Sequence, residues 1–489
     1  MSDESLWHED RLLIEGELTA AAGGATFDNI DPSTEEVIGV AANAGHAEMD
    51  RAIGAARRAF DSTDWATNTE RRVRCIRQLA EALDRAKERF RPAFVAEVGA
   101  PVTTTYMVQM DMPIAGVNWV ADLAERYEFE TDLGESEVFG MRSRRTVRRE
   151  ASGVVAAITP WNYPMQINLA KVIPALAAGN TVVLKAAPDT PWTALVLGRL
   201  AAEETDLPPG VLNVISSADH AVGAQLTADP RVDLVSFTGS TATGRAIMAA
   251  GAPTIKKLFL ELGGKSALIV LDDADIAAAA MGVAFQITSH AGQGCAITSR
   301  LLVPERRRDE IVEQVVAMIQ GIPYGDPSDP ANLMGPLVSK VQRERVLGYI
   351  ERGLAEGATA VIGGGRPAHL ERGWYVEPTV LVDVQPDHTV AQEEIFGPVL
   401  SVLTYRDDDD AVAIANNSIY GLSGGVFGSP DRARAIANRI RTGTIGVNGG
   451  MYYGVDSPFG GYKQSGIGRE MGVPGFEEYL EIKTIAVPA

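Results

Sequence analysis

Two short segments of this 489-residue chain hold the residue types needed for acyl chemistry at sulfur. Glu261-Leu262-Gly263-Gly264-Lys265 supplies a carboxylate, and Gly292-Gln293-Gly294-Cys295 supplies a thiol. A thiolate can take up an acyl group, and a carboxylate can activate the water that hydrolyses it. Cys295 is one of two cysteines and sits between Gly294 and Ala296, where little bulk would block a small electrophile. The thiolate is the nucleophile, so the site must help Cys295 lose its proton, and Glu261 acting through a water could do so. The plainer reading of Cys295 is a buried structural cysteine, and of Glu261 a solvated carboxylate. Against the latter, Leu258-Phe259-Leu260 reads as a buried strand, and a carboxylate closing such a strand needs a reason.

The elements that must position these groups show in the rhythm of the chain. From Gly153 onward apolar runs alternate with Ala- and Leu-rich helical stretches: Val154–Ile158, Thr181–Lys185, 211–215 and 234–237. This alternation predicts an open, mostly parallel α/β sheet with helices on both faces. Ligands on such sheets bind at the carboxyl ends of the strands. Thr159-Pro160-Trp161-Asn162, Lys185 and Thr238-Gly239-Ser240 fall there. Gly239-Ser240-Thr241-Ala242-Thr243-Gly244 follows a strand and opens a helix, so it reads as a capped helix or a phosphate site. It is not the G-x-G-x-x-G fingerprint, because position 241 is Thr. A second α/β region begins near Ser266 and contains the Cys295 turn, a strand at 300–303 and a helix around 311–319. Glu393-Glu394-Ile395-Phe396-Gly397-Pro398 reads as a surface turn or a ligand contact at a domain edge. Ser457–Gly466 is too Gly-rich for regular structure.

Ahead of these regions, residues 1–45 read as short strands and turns, followed by helical periodicity from His46, after Arg71-Arg72 and after Pro113. Cys75 lies beside an apolar stripe and is expected in the core. Residues 129–149 alternate, are rich in charge and contain Gly134 and Gly140; they read as a projecting β-hairpin. The tail 481–487 reads as a strand that completes a sheet with this arm, including across a subunit boundary.

Composition narrows the partners. A net charge of −20 argues against nucleic acid and anionic membranes. No apolar run reaches the length of a membrane span. Two cysteines make no disulfide framework, so a reducing compartment, the cytoplasm, is expected. Residues 1–10 carry four acids and no Lys or Arg, unlike a signal or transit peptide. The six histidines lack paired spacing, so no metal site is expected.

Taken in order, six motifs resemble the aldehyde dehydrogenase superfamily over nearly the whole chain. They are Thr159–Pro164, Phe237–Thr241, Glu261–Lys265, Gly292–Cys295, Glu394–Pro398 and Pro458–Lys463. The resemblance implies two doubly wound, Rossmann-like α/β domains, for cofactor (1–128 and 150–262) and for catalysis (263–468). It further implies a small β oligomerisation element (129–149 and 469–489) and a homodimer or homotetramer. It implies that Cys295 attacks an aldehyde, Asn162 and the Cys295 N–H hold the oxyanion, and Glu261 activates water. Lys171 and Glu470 match positions for proton relay and support, and both read equally as helix-face residues. Cofactor contacts are implied for Ile158, Thr159, Pro160, Trp161, Lys185, Gly223, Phe237, Gly239, Ser240, Gly244, Leu262, Glu394 and Phe396. Substrate-pocket positions are implied for Tyr163, Ile167, Ala170, Tyr453 and Phe459.

The chain departs from the pattern at Pro188, where many NAD-using members carry a Glu three residues beyond this Lys. Losing that carboxylate removes a repulsion against a 2′-phosphate. NAD remains the expected cofactor, since no Arg or additional Lys stands beside the site, and NADP is the alternative. Ala170 is small where some relatives carry an aromatic, which suggests a wide entrance for an apolar aliphatic or aromatic aldehyde. Two other readings are a CoA-acylating relative, which has no need of Glu261, and a non-catalytic protein of this fold.

Overall fold

The computed structural model describes residues 6–489; the first five residues of the acid-rich N-terminal stretch lie outside the described residues. The alternation from Gly153 becomes an eight-stranded sheet. Its central strands, Lys257–Glu261, Leu234–Thr238, Val154–Ile158, Thr181–Lys185 and Leu212–Ile215, lie in that order and are parallel. The chain steps outward from Val154–Ile158 in one direction, then returns to its other side with Leu234–Thr238. A crevice therefore opens at the carboxyl ends of those two strands, where the winding reverses. These strands are near-continuous apolar runs because helices cover both faces. His46–Ser62, Thr69–Val98 and Asp111–Arg126 supply part of that cover, and Cys75 is fully buried within it. The third of these helices begins two residues before Pro113, which sits in its first turn where a missing N–H costs little.

A second sheet, of seven strands, contains Ala267–Val270, Arg300–Pro304 and Val399–Tyr405 in parallel array. Separate apolar clusters pack on its two faces. No helix among the described residues is long and apolar enough to cross a membrane.

A third sheet joins the hairpin Glu130–Val138 and Met141–Ala151 to the tail Leu480–Pro488. Phe139 and Gly140, both at positive φ, make the tight turn. The tail pairs with its neighbour from Leu480↔Ala151 to Pro488↔Ser143.

The Gly-rich stretch expected to be irregular is ordered at its end, where Lys463–Ser465 makes a 3-10 turn. Gly466–Ile467 pairs antiparallel with Lys257–Glu261 and adds an edge to the first sheet. Phe476, Tyr479 and Leu480 also pack into the first core. The chain from 463 onward thus folds back over the end of the strand that carries Glu261.

Candidate active site

Cys295 follows the helix Ile276–Thr288 through a 3-10 turn, Ser289–Gly292. His290, Ala291 and Gly292 all have positive φ, at 46°, 51° and 71°. Such conformations are costly for non-glycine residues and cluster at functional sites. Gly292 is obligatory, since a Cβ there would fall 2.1 Å from the Gly397 carbonyl oxygen. Buried Gln293 pins the loop: its Nε2 donates to the His290 and Pro336 carbonyls, and its Oε1 accepts from the Val338 N–H at 2.9 Å. The Cys295 carbonyl sits so close over Gly264 that a Cβ on that glycine would be 2.5 Å away. The two segments singled out by their chemistry are therefore packed backbone to backbone.

Asn162 is buried, and its Nδ2 donates to the Gln293 carbonyl at 2.8 Å. The amide has two N–H donors, so a second remains for a ligand beside the Cys295 loop. Gln109 steadies Asn162 by donating to its carbonyl at 3.1 Å. Burial pushes the Cys295 thiol up, and Glu261, Glu394 and Glu470 push it further. Cys295 was expected in surroundings that help the thiol ionise; these do the reverse. Cys295 rests protonated and needs a base.

Glu261 ends its strand 2 % exposed, and neither carboxylate oxygen has a hydrogen-bond partner among the described residues. Burial raises its carboxyl well above the usual range, and Glu470 adds to the rise. A carboxylate pushed up in this way is a stronger base than a solvated one. Gly460 leaves room beside it, since a Cβ there would lie 2.7 Å from Oε1. Ser465 fixes the backbone on either side: its carbonyl accepts from the Leu262 N–H, and its hydroxyl donates to the Gly263 carbonyl at 2.7 Å.

Lys171 and Glu470 form a buried ion pair at 2.6 Å. Lys171 lies on the helix Pro164–Ala177, but Glu470 is not on a helix face; it bridges to Phe459 through backbone hydrogen bonds. Lys171 also donates to Ser236 at 3.2 Å and lies 4.9 Å over the Phe259 ring. Both pair members act electrostatically on Glu261, Lys171 lowering its carboxyl and Glu470 raising it.

Most of the residues expected at a cofactor gather around the crevice. Ile158 ends its strand, and the Thr159 N–H donates to the Lys185 carbonyl, so the Thr159–Trp161 turn lies against the end of the next strand. Phe237 lies one residue before the end of its strand; Gly239 follows, and Ser240 caps the helix Thr241–Gly251 by accepting from the Thr243 N–H. A Cβ on Gly239 would strike the Phe237 ring at 2.4 Å, and one on Gly244 would strike Leu262 at 2.7 Å. A capped helix N-terminus with a bare glycine approach suits a pyrophosphate. Across the crevice, Glu394 accepts from the Gly264 N–H at 2.9 Å, and burial brings its carboxyl up to about 7. Phe396 has a φ of 62° and meets Trp161 edge-on at 5.4 Å. Lys185 and Gly223 lie at the far end, with a Gly223 Cβ placed 3.9 Å from Lys185 Cε. An elongated ligand with a central diphosphate and a ring at each end fits this series of groups.

Helices Asp111–Arg126 and Pro164–Ala177 with the loops at 453–455 and 471–472 enclose a cavity of about 750 Å³, counting its open mouth. Ala170 and Tyr453 line it as expected. Tyr163, Ile167 and Phe459 are not in its wall: Tyr163 packs on His290, Phe459 packs on Tyr453, and Ile167 is buried. The wall is instead supplied by Met112, Trp119, Val120, Leu123, Val455 and Met471, with Gln166 donating to the Tyr453 hydroxyl. Nothing in the local sequence marks the helix Asp111–Arg126 as a pocket wall, because its apolar face reads equally as core. Gln293, by contrast, lay inside a quoted motif without being given a task.

The chain belongs to the aldehyde dehydrogenase family, whose model matches residues 19–485. Among its curated relatives, a 3-succinoylsemialdehyde-pyridine dehydrogenase of a Pseudomonas species is 42% identical, over 96% of this chain and 97% of that protein. A geranial dehydrogenase of Castellaniella defragrans is 39% identical, over 97% and 98%. Among solved structures, a betaine aldehyde dehydrogenase of Staphylococcus aureus in complex with NAD+ superposes with a TM-score of 0.94 at 36% identity. That match covers 98% of this chain and 94% of the other.

Proposed function

We propose that the chain oxidises an apolar aliphatic or aromatic aldehyde to its carboxylic acid with NAD, Cys295 carrying the acyl group. One observation carries this reading: a buried carboxylate with both oxygens free, Glu261, acts electrostatically on a half-buried free thiol, Cys295, beside the Asn162 amide. That triad of base, nucleophile and amide donor is what thioacyl formation and hydrolysis require.

Glu261 takes the thiol proton through a water, and the Cys295 sulfur forms a bond to the aldehyde carbon. The Asn162 Nδ2–H and the Cys295 N–H hold the resulting oxyanion. NAD, when bound, supplies the acceptor for the hydride that leaves this carbon. The carbonyl re-forms as a thioester on Cys295. Glu261, having released its first proton to solvent, removes a proton from water as its oxygen adds to the thioester carbon, and the carbon–sulfur bond breaks to release the acid and leave the Cys295 thiolate. Lys171 and Glu470 hold the charge balance behind Glu261 rather than touching the reacting atoms. Gly239, Ser240, Glu394 and Phe396 would hold the dinucleotide, with Trp161 supporting the last of these.

The apolar cavity wall supports a substrate with a hydrocarbon body, and the similarity to a geranial dehydrogenase is consistent with it. A nucleophilic thiol in a chain with two free cysteines fits a reducing, cytoplasmic compartment. The three-stranded arm, with Ile482 and Val487 exposed on its tail, supports assembly as a homodimer or homotetramer.

The test is initial-rate formation of reduced cofactor over short, long and aromatic aldehydes, with acid product measured in parallel. Robust turnover of apolar aldehydes that vanishes in Cys295→Ala supports the proposal. Acid formation at an undiminished rate in Cys295→Ala would remove it.

A further inference from the structure

The missing carboxylate at position 188 has a neighbour. Strand Thr181–Lys185 ends on Lys185, which is 5 % exposed, and the chain runs Ala186-Ala187-Pro188-Asp189 before the helix Pro191–Glu204. Pro188 offers no side-chain acceptor and fixes its own φ near −65°. The turn that follows, closed by the Thr190 N–H donating to the Ala187 carbonyl, carries the half-buried Asp189. Lys185 pairs with Ile215 of the adjacent strand Leu212–Ile215. Beyond that strand Asp219 caps the helix His220–Ala228, accepting from the Ala221 N–H at 2.8 Å. A Cβ on Gly223 of this helix would lie 3.9 Å from Lys185 Cε, so the glycine leaves open space beside the Lys185 stem. Asp189, in the turn after the Lys185 strand, and Asp219, at the cap after the adjacent strand, both act electrostatically on the Lys185 ammonium, and burial holds that ammonium down at about 8. Burial likewise raises the Asp189 carboxyl, which His220 and Lys185 pull back down.

We propose that Asp189, backed by Asp219, selects NAD over NADP in this chain: its carboxylate accepts from the adenosine ribose hydroxyls beside Lys185 and repels a 2′-phosphate. The inference rests on the proposed aldehyde dehydrogenase function of the same crevice. A 2′-phosphate would bring up to about two further negative charges to a place where two carboxylates already act on one ammonium. Like charges brought together in a partly buried site disfavour the wrong partner more than they help the right one.

The experiment measures dissociation constants by titration calorimetry on the full chain and on Asp189→Ser. The probes are NAD, NADP, AMP and 2′,5′-ADP. Removing the carboxylate is expected to weaken NAD, tighten NADP and move their ratio by about tenfold toward NADP. The same shift between AMP and 2′,5′-ADP, which lack nicotinamide, would locate the effect at the ribose. Asp189→Asn keeps the shape and an acceptor but not the charge, so it should relax the rejection of NADP while retaining NAD. Unchanged ratios in both variants, or an unmodified chain that already prefers NADP, would overturn the assignment. If the unmodified chain binds NAD but the ratios stay fixed, this inference falls and the proposed function stands. If it binds neither dinucleotide, both fall.

Discussion

Glu261 and Cys295 divide the work by their protonation states. Burial raises both, so at rest the thiol is neutral and the carboxylate is an unusually strong base. Replacing Glu261 by Gln should leave the first acylation partly intact and block hydrolysis. The expected outcome is a burst of about one equivalent of reduced cofactor, slower than in the unmodified protein, then steady-state turnover lowered about a hundredfold, read by stopped-flow absorbance. The pH profile follows from the same shift. The base form of Glu261 is lost as pH falls through its raised value, so the acid limb of kcat should lie above the range of an ordinary carboxylate. That limb should disappear in Glu261→Gln; a limb near pH 4.5 in the unmodified protein would contradict the burial argument. Asn162→Ala should lower kcat by about a hundredfold with little change in thermal midpoint, since it removes an oxyanion donor and leaves Gln293 its other anchors.

Between elements, the Lys171–Glu470 pair ties the helix Pro164–Ala177 to the returning C-terminal chain. Lys171→Met leaves Glu470 as an uncompensated buried carboxylate beside Glu261. It should destabilise the fold by about 3–5 kcal/mol in denaturant melts, and Lys171→Met with Glu470→Gln should recover most of that loss. Removing the cation also removes the group that lowers Glu261, so the acid limb of kcat should move further up in pH. On the same helix, Ala170 lines the apolar cavity. Ala170→Trp should raise KM for long or branched aldehydes while sparing short ones, measured as the ratio of kcat/KM across a chain-length series. The helix itself was legible as part of an α/β alternation. Glu470 was misread as a helix-face residue because its neighbours look helical, whereas its own N–H and carbonyl bond Phe459 across the loop.

At the scale of the whole molecule, the hairpin Glu130–Val138 and Met141–Ala151 depends on the tail strand to cover one edge. Truncation after Leu480 would expose the backbone groups of Met141–Ala151 and delete the apolar Ile482, Ile485 and Val487. The expected result is a smaller species in light scattering than the full chain gives, with turnover at the Cys295 site weakened only as far as assembly supports it. An unchanged mass would show that the arm does not carry assembly.

The sequence by itself determined the doubly wound class, because a strand–helix rhythm of buried apolar runs leaves few other architectures. It also placed Cys295, Glu261 and Asn162 at strand ends and turns, since ligands on an open α/β sheet bind at the carboxyl ends of its strands. Tertiary structure alone decided what surrounds them. Residues far apart in the chain set the ionisation of Cys295, and the fold-back from 463 encloses Glu261. It likewise made a cavity wall of the helix Asp111–Arg126 and set Asp189 where its charge acts on Lys185. Burial and charge are properties of the assembled neighbourhood, summed over segments that no local pattern connects.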